Sequence, residues 1–131
     1  MKRGFLALVL LPLAAAAQDW PQFRGNPPMT GAAANAPQPP LKQVWSWGGA
    51  EGIDSSPAIA GGAVYFGTQE GELVSLDFET GKLRWKYKAN EGIGESSPAV
   101  SGGLVFVGDL AGVVHAVRAA DGKGVWTFKT G

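Results

Sequence analysis

From Val44 onward, apolar and polar residues alternate in short runs broken by glycine, the period-two signature of half-buried strands. In "LRWKYK", Leu83 to Lys88, Trp85 and Tyr87 fall on one face and Arg84, Lys86 and Lys88 on the other. The aromatic face is expected to pack between neighbours. The basic row is expected to face water and keep foreign strands off an exposed edge. No stretch beyond the first residues places apolar positions at helical spacing over three turns. The pattern predicts strands over 57–60, 63–68, 73–77 and 83–88, then over 98–101, 104–109, 113–117 and 124–129. Gly61-Gly62 and Gly102-Gly103 fill the tight turn after the first strand of each set, where a hairpin demands positive φ. Turns holding Gly71 or Gly112, then Gly81 or Gly122, separate the remaining strands.

The two sets repeat one another. "SSPAIAGGAVYFGTQEGELVSLDFETGKLRW" (55–85) aligns without a gap on "SSPAVSGGLVFVGDLAGVVHAVRAADGKGVW" (96–126), with 12 of 31 positions identical. The recurring residues Pro57, Gly67, Gly81 and Trp85, and Pro98, Gly108, Gly122 and Trp126, read as structural. Trp126 and Phe128 are expected to keep the buried face that Trp85 and Tyr87 occupy. Glu51-Gly52-Ile53 precedes the first unit and Glu91-Gly92-Ile93 the second. A period near 41 suits a propeller blade or a helical array, and strand-like text excludes the array. The expected fold is all-β: a partial β-propeller of two four-stranded blades, about 54–88 and 95–129, plus one extra strand. That strand is Lys42 to Gly48, whose Trp45 and Trp47 resemble the last strand of another blade. A closed ring takes about 4 to 8 blades. Missing blades or self-association are therefore expected to complete it, and the sequence reads as truncated. Proline lacks a donor and suits the first residue of a strand. Small residues at 58, 60, 99 and 101 suit a crowded axis. The Gly-His and Trp-Asp pairs of WD repeats are absent, and the kelch period of about 50 fits poorly.

Composition adds a compartment. Lys2 and Arg3, an apolar run from Phe5 to Leu13, and small residues from Ala14 to Ala17 form the layout of a secretory signal peptide over 1–17. The apolar run is too short for a transmembrane anchor. Cleavage is expected after Ala17. The chain has no cysteine, hence neither disulfides nor a lipid-bearing cysteine, and the periplasm or the exterior is the expected location. Without Lys2 and Arg3, nine basic and eleven acidic residues remain, which gives no electrostatic case for nucleic acid. Residues 18–43, rich in Pro, Ala and Asn, read as an extended arm or linker. Trp20, Phe23 and Arg24 would anchor it if it packs. The repeats occupy 44–131.

The pattern "SSPA…GG.VY.G…G.L..LD..TGK..W" resembles the repeat of the PQQ-like (pyrroloquinoline-quinone repeat) β-propellers, a family that includes quinoprotein dehydrogenases and BamB-type assembly lipoproteins. "DWPQFRGN", Asp19 to Asn26, resembles the start of many secreted bacterial members. In the second unit Arg118 stands where the first has Asp77, and Asp121 where it has Thr80. The resemblance implies a propeller fold and leaves function open, because one fold hosts unrelated functions. One implied reading is a non-catalytic protein-interaction or scaffold module without a cofactor. Its rival is an N-terminal fragment of a quinoprotein dehydrogenase, using pyrroloquinoline quinone and calcium in the full-length protein. The cysteine pair stacked near the quinone in several such dehydrogenases has no counterpart here.

The chemistry-bearing residues are few, and no catalytic, cofactor-binding or metal site is assigned. His115, the single histidine, lies mid-strand and reads as a packed residue rather than a ligand or base. Ser55, Ser56, Ser96 and Ser97 have no base at a recognisable spacing and no G-x-S-x-G elbow, so capping and turn hydrogen bonds explain them better. "EGIGES" lacks the Gly-Lys-Ser/Thr of a phosphate loop. Glu51, Asp54, Glu91 and Glu95 lie in the links before each unit. Glu70, Glu72 and Asp109 lie in or beside the turns between second and third strands. On a propeller these loops share one face. Three readings stand: a solvated surface, a calcium site, which needs several converging oxygens, or a partner-docking surface. For docking the candidate loops are those of Glu51, Asp54, Glu70, Glu91, Glu95 and Asp109.

Overall fold

A computed structural model describes residues 19–131; the leader expected over 1–17 lies outside the described residues. Eight strands form two antiparallel meanders. β1 (Ala58–Ala60), β2 (Ala63–Gly67), β3 (Glu72–Asp77) and β4 (Leu83–Lys88) pair in chain order, as do β5 (Ala99–Ser101), β6 (Leu104–Gly108), β7 (Val113–Arg118) and β8 (Gly124–Lys129). No helix occurs among the described residues. The topology is that of two propeller blades. Register repeats with sequence: Ala58 faces Tyr65 as Ala99 faces Phe106. A bulge falls at Ser75/Leu76 and again at Ala116/Val117. Pro57 and Pro98 stand just ahead of the first strand rather than within it, since neither offers an N–H to the ladder.

The recurring serines have structural work. The Gly67 N–H donates to Ser55 Oγ at 2.8 Å, and the Gly108 N–H to Ser96 Oγ at 3.0 Å. Each bond ties the start of a unit to the end of its second strand. The Ser56 N–H donates to Ser97 Oγ at 3.1 Å, joining one unit to the other.

Alternation sends the two faces of the first sheet into different cores. Ala63, Tyr65, Leu73 and Trp85 meet Ile93 of the link and Val105, Val107 and Val117 of the second unit. Val64, Phe66, Val74 and Leu76 point the other way and are covered by Trp45 and Trp47, with the Trp47 ring edge-on to Phe66 at 5.3 Å. Residues 42–48 therefore act as an outer cover, without forming a regular strand.

One device closes both contacts. Trp85 Nε1 donates to the carbonyl of Ala119 at 2.9 Å, while its ring sits where a side chain at Gly122 would go. Trp45 Nε1 donates to the carbonyl of Phe78 at 2.9 Å, and its ring fills the space above Gly81. Each indole thus needs a glycine turn and an acceptor carbonyl on the adjacent unit. The turns demand glycine twice over: φ is +69° at Gly81 and +73° at Gly122, where an L-residue is strained.

The expectation that Trp126 and Phe128 are buried is corrected: they are 45% and 63% exposed. Alternation does put them on the equivalent face, but no described residue covers it. The arm is also more than a linker. Asp19 to Asn26 folds against the inner strands through an antiparallel bridge between Trp20 and Ile59, whereas 27–44 are exposed throughout.

Candidate functional site

Three surfaces collect the chemistry. The first is the face of the interunit links. The Gln69 N–H donates to Gly52 O at 3.0 Å and the Leu110 N–H to Gly92 O at 2.8 Å, so each link docks on the neighbouring turn. This brings Glu51, Asp54, Glu70, Glu91 and Glu95 to one exposed rim. Glu70 Oε1 accepts from the Glu51 N–H at 3.1 Å. Hydrogen bonds from its own N–H and from Thr68 hold the Glu70 carboxyl below the usual range. Asp54 accepts from the Gln69 amide. Glu72 instead pairs with Lys86 at 2.6 Å. A cleft of about 750 Å³ opens here, lined by Phe23, Ile53, Asp54, Ser56, Glu95 and Ser97. No group of three or more His, Cys, Asp or Glu side chains able to hold a metal occurs among the described residues.

Asp109 is not on that rim. Its side chain is 0% exposed and accepts from His115 Nε2 at 3.0 Å and from the Val113 N–H at 2.9 Å. Burial pushes this carboxyl up, but the hydrogen bonds from His115 and Val113 outweigh it and hold it below its ordinary value. His115 Nδ1 meets Tyr87 Oη at 3.0 Å. Burial, aided by the Asp109 charge, raises the Tyr87 phenol. Asp109, His115 and Tyr87 form a chain of hydrogen bonds crossing from the second unit to the first. With the carboxylate accepting from Nε2–H, neutral His115 leaves Nδ1 to accept from the phenol. His115 is thus a packed residue, as expected, with both nitrogens satisfied. Sequence reasoning missed the trio. Its signal was a double departure from the repeat: Asp109 replaces Thr68 and His115 replaces Val74. Thr68 keeps the backbone half of the role, its Oγ1 accepting from the Glu72 N–H at 3.1 Å.

The other departures compensate in the same way. Asp77 Oδ1 accepts from the Thr80 N–H at 3.0 Å and Oδ2 from Arg84 at 2.8 Å. Arg84 and Thr80 lower the Asp77 carboxyl to about 2. In the second unit the charges are exchanged: Arg118 donates to Asp121 at 2.9 Å, and Asp121 accepts from the Lys123 N–H at 3.1 Å. The turn is held either way.

The second surface is the axis. The axial edges of β1 and β5 meet there, with the arm running along them from Asp19, beside the Gly61 turn, to Phe23, at the link face. The small side chains do not line it as expected, since Ala58 is fully buried and Ala60 packs against the core between the units. The third surface is the outer face of the second sheet. Phe106 and Trp126 lie 5.9 Å apart at 44°, nearly reproducing Tyr65 and Trp85 at 5.8 Å and 42°. The first pair is open where the second is covered: Tyr65 is 3% and Trp85 9% exposed.

No curated protein matches the sequence. Among solved structures, the chain is similar to quinohemoprotein alcohol dehydrogenase from Comamonas testosteroni, with TM-score 0.75 and 24% identity over 89% of this chain and 20% of that one. It is similar to BamB from Moraxella catarrhalis, with TM-score 0.52 and 26% identity over 60% of this chain and 24% of that one. A europium-containing methanol dehydrogenase gives TM-score 0.52 and 30% identity over 55% of this chain and 14% of that one. The chain spans a quarter or less of the length of each. Residues 35–131 match the PQQ-repeat family described as outer membrane protein assembly factor BamB. With most of the sequence inside that match, the chain belongs to this family of β-propeller repeats.

Proposed function

We propose that the chain is an exported, non-catalytic propeller-repeat module that works by docking protein, its leader removed after Ala17. The observation that carries this reading is the preformed pair of Phe106 on β6 and Trp126 on β8, on the open face of the second sheet. The equivalent pair one unit earlier is buried against a glycine turn and donates an indole hydrogen bond. The fitting partner is thus another repeat unit offering a small-residue turn and an acceptor carbonyl; in a second copy of the chain these are the Gly81 turn and Phe78 O, once its own Trp45 segment gives way. Covering Trp126 to the level of Trp85 would remove about a third of a large aromatic surface from water, worth about 2 kcal/mol. The rim of Glu51, Asp54, Glu70, Glu91 and Glu95 would steer such a partner if it is basic.

A second reading has support in the 30% identity to a methanol dehydrogenase: the two units as part of a quinoprotein dehydrogenase. The small residues of the inner strands, Ala58, Ala60, Ala99 and Ser101, offer neither cation nor aromatic platform to a flat anionic quinone, and Ala58 and Ala60 face the core between the units. The arm already lies along these strands. Any quinone and calcium would be seated by other blades.

Sedimentation equilibrium of residues 18–131 tests the proposal. Concentration-dependent association that Trp126→Lys abolishes is expected. A cooperatively melting monomer, indifferent to that substitution at high concentration, would contradict it.

A further inference from the structure

An inner strand of a blade has one edge in its own sheet and one toward the axis. β1 pairs with β2 and β5 with β6. The axial edge carries N–H and C=O groups able to template any extended chain. On β1 the arm takes that edge: the Trp20 N–H donates to Ile59 O at 2.7 Å, and the Ile59 N–H donates to Trp20 O at 2.8 Å. One residue later the Val100 N–H donates to Pro21 O at 2.7 Å. Ile59 and Val100 occupy equivalent positions of the repeat, so a single segment crosses from one unit to the next. Pro21 supplies a carbonyl at the crossing without an N–H that would need a partner. Asp19 Oδ1 ends the contact by accepting from the Gly61 N–H at 3.2 Å.

Three consecutive residues, an acid, an aromatic and a proline, thus meet two strand edges mainly through backbone atoms. This is the recognition mode of strand addition, in which main-chain bonds give affinity and side chains give specificity. The Trp20 ring folds back over Gly25, whose φ of +81° and missing side chain make room for it. The connection that follows, 27–44, is exposed throughout, so the segment's own contacts set its place. We propose that the axial edges of β1 and β5 form an acceptor site for an extended peptide of acidic–aromatic–proline sequence, and that the arm occupies it in cis. The site is separate from the β8 face and does not depend on the docking proposed there. A tethered segment competes at an effective concentration of roughly millimolar, so the arm acts as a built-in competitor for such a peptide.

The test uses a fluorescent peptide of residues 19–31 and anisotropy, with the intact chain and with the chain carrying Asp19→Ala and Trp20→Ala. The variant is expected to bind the peptide, and the intact chain to bind it about a hundredfold more weakly. A peptide with its tryptophan replaced by alanine is expected to bind neither. The Ile59 and Val100 amides, fast to exchange in the variant, regain protection with peptide. A folded variant that ignores millimolar peptide, or binding that leaves those amides unprotected, overturns the proposal. Should the variant lose its sheet signal by circular dichroism, wild-type chain nicked within 32–43 replaces it. The arm is then expected to stay bound through gel filtration and to exchange with excess labelled peptide. Loss of the arm from a remainder that stays folded, or failure of the label to exchange, overturns it equally.

Discussion

Gly122→Ala places a methyl group where the Trp85 ring already stands. The added Cβ would lie 2.7 Å from the ring, on a backbone at φ +73°. Gly102→Ala is the matched control, at φ +58° with nothing within 4 Å of the new carbon. The left-handed backbone costs an L-residue about 1 kcal/mol at either site. Only at Gly122 must the indole also retreat, by roughly 0.7 Å to regain ordinary contact. That retreat stretches the 2.9 Å bond from Trp85 Nε1 to Ala119 O, worth about 1 kcal/mol. It also returns part of the ring to water. Trp126 shows the limit, at 45% exposed against 9% for Trp85, a difference worth about 2 kcal/mol. The expected cost is about 3–4 kcal/mol for Gly122→Ala and about 1 kcal/mol for Gly102→Ala. Guanidinium unfolding followed by far-ultraviolet circular dichroism reads both. Equal costs would refute the claim that the indole seat, rather than the turn alone, requires glycine.

Truncating the two equivalent tryptophans separates a covered face from an open one: Trp85→Ala should cost about 3–5 kcal/mol and Trp126→Ala under about 1 kcal/mol in dilute solution, by the same unfolding assay. Asp77, held at about 2 by Arg84 and Thr80, should titrate there by carboxyl NMR and move toward its ordinary value in Arg84→Ala. Its contribution to stability is fully present above the unfolded carboxyl value and is lost as pH falls through about 2. Asp109→Ala leaves buried His115 without its acceptor and should cost about 2–3 kcal/mol, more than the roughly 1 kcal/mol of Tyr87→Phe; the reverse order in denaturant midpoints would contradict the trio's arrangement.

The strands were legible because both periods, two along a strand and 41 along the chain, are written in side-chain type. Gly61-Gly62, Gly81 and the Trp85 face each carry a local signal. Burial of Trp126 was misread because alternation reports which face a residue takes, never whether a neighbour covers it. Asp109 was misplaced for a related reason. A turn position predicts exposure, but His115 six residues later draws this carboxylate inward at 3.0 Å. Asp109 and His115 depart from the repeat together, and only geometry shows that the departures answer each other. The axial docking of Asp19 to Pro21 rests on backbone bonds to Ile59 and Val100, which composition cannot foretell.

Hydrogen exchange at the indole Nε1–H groups, resolved by NMR, tests the central claim that one seat recurs from unit to unit and stands open at β8. Trp45 and Trp85, bonded to Phe78 O and Ala119 O, should exchange slowly, at rates that follow unfolding. Trp126 should exchange fast in dilute solution and slow as the protein is concentrated and its face is covered. Exchange at Trp85 as fast as at Trp126, or a Trp126 indole already protected in the dilute chain, would contradict the account.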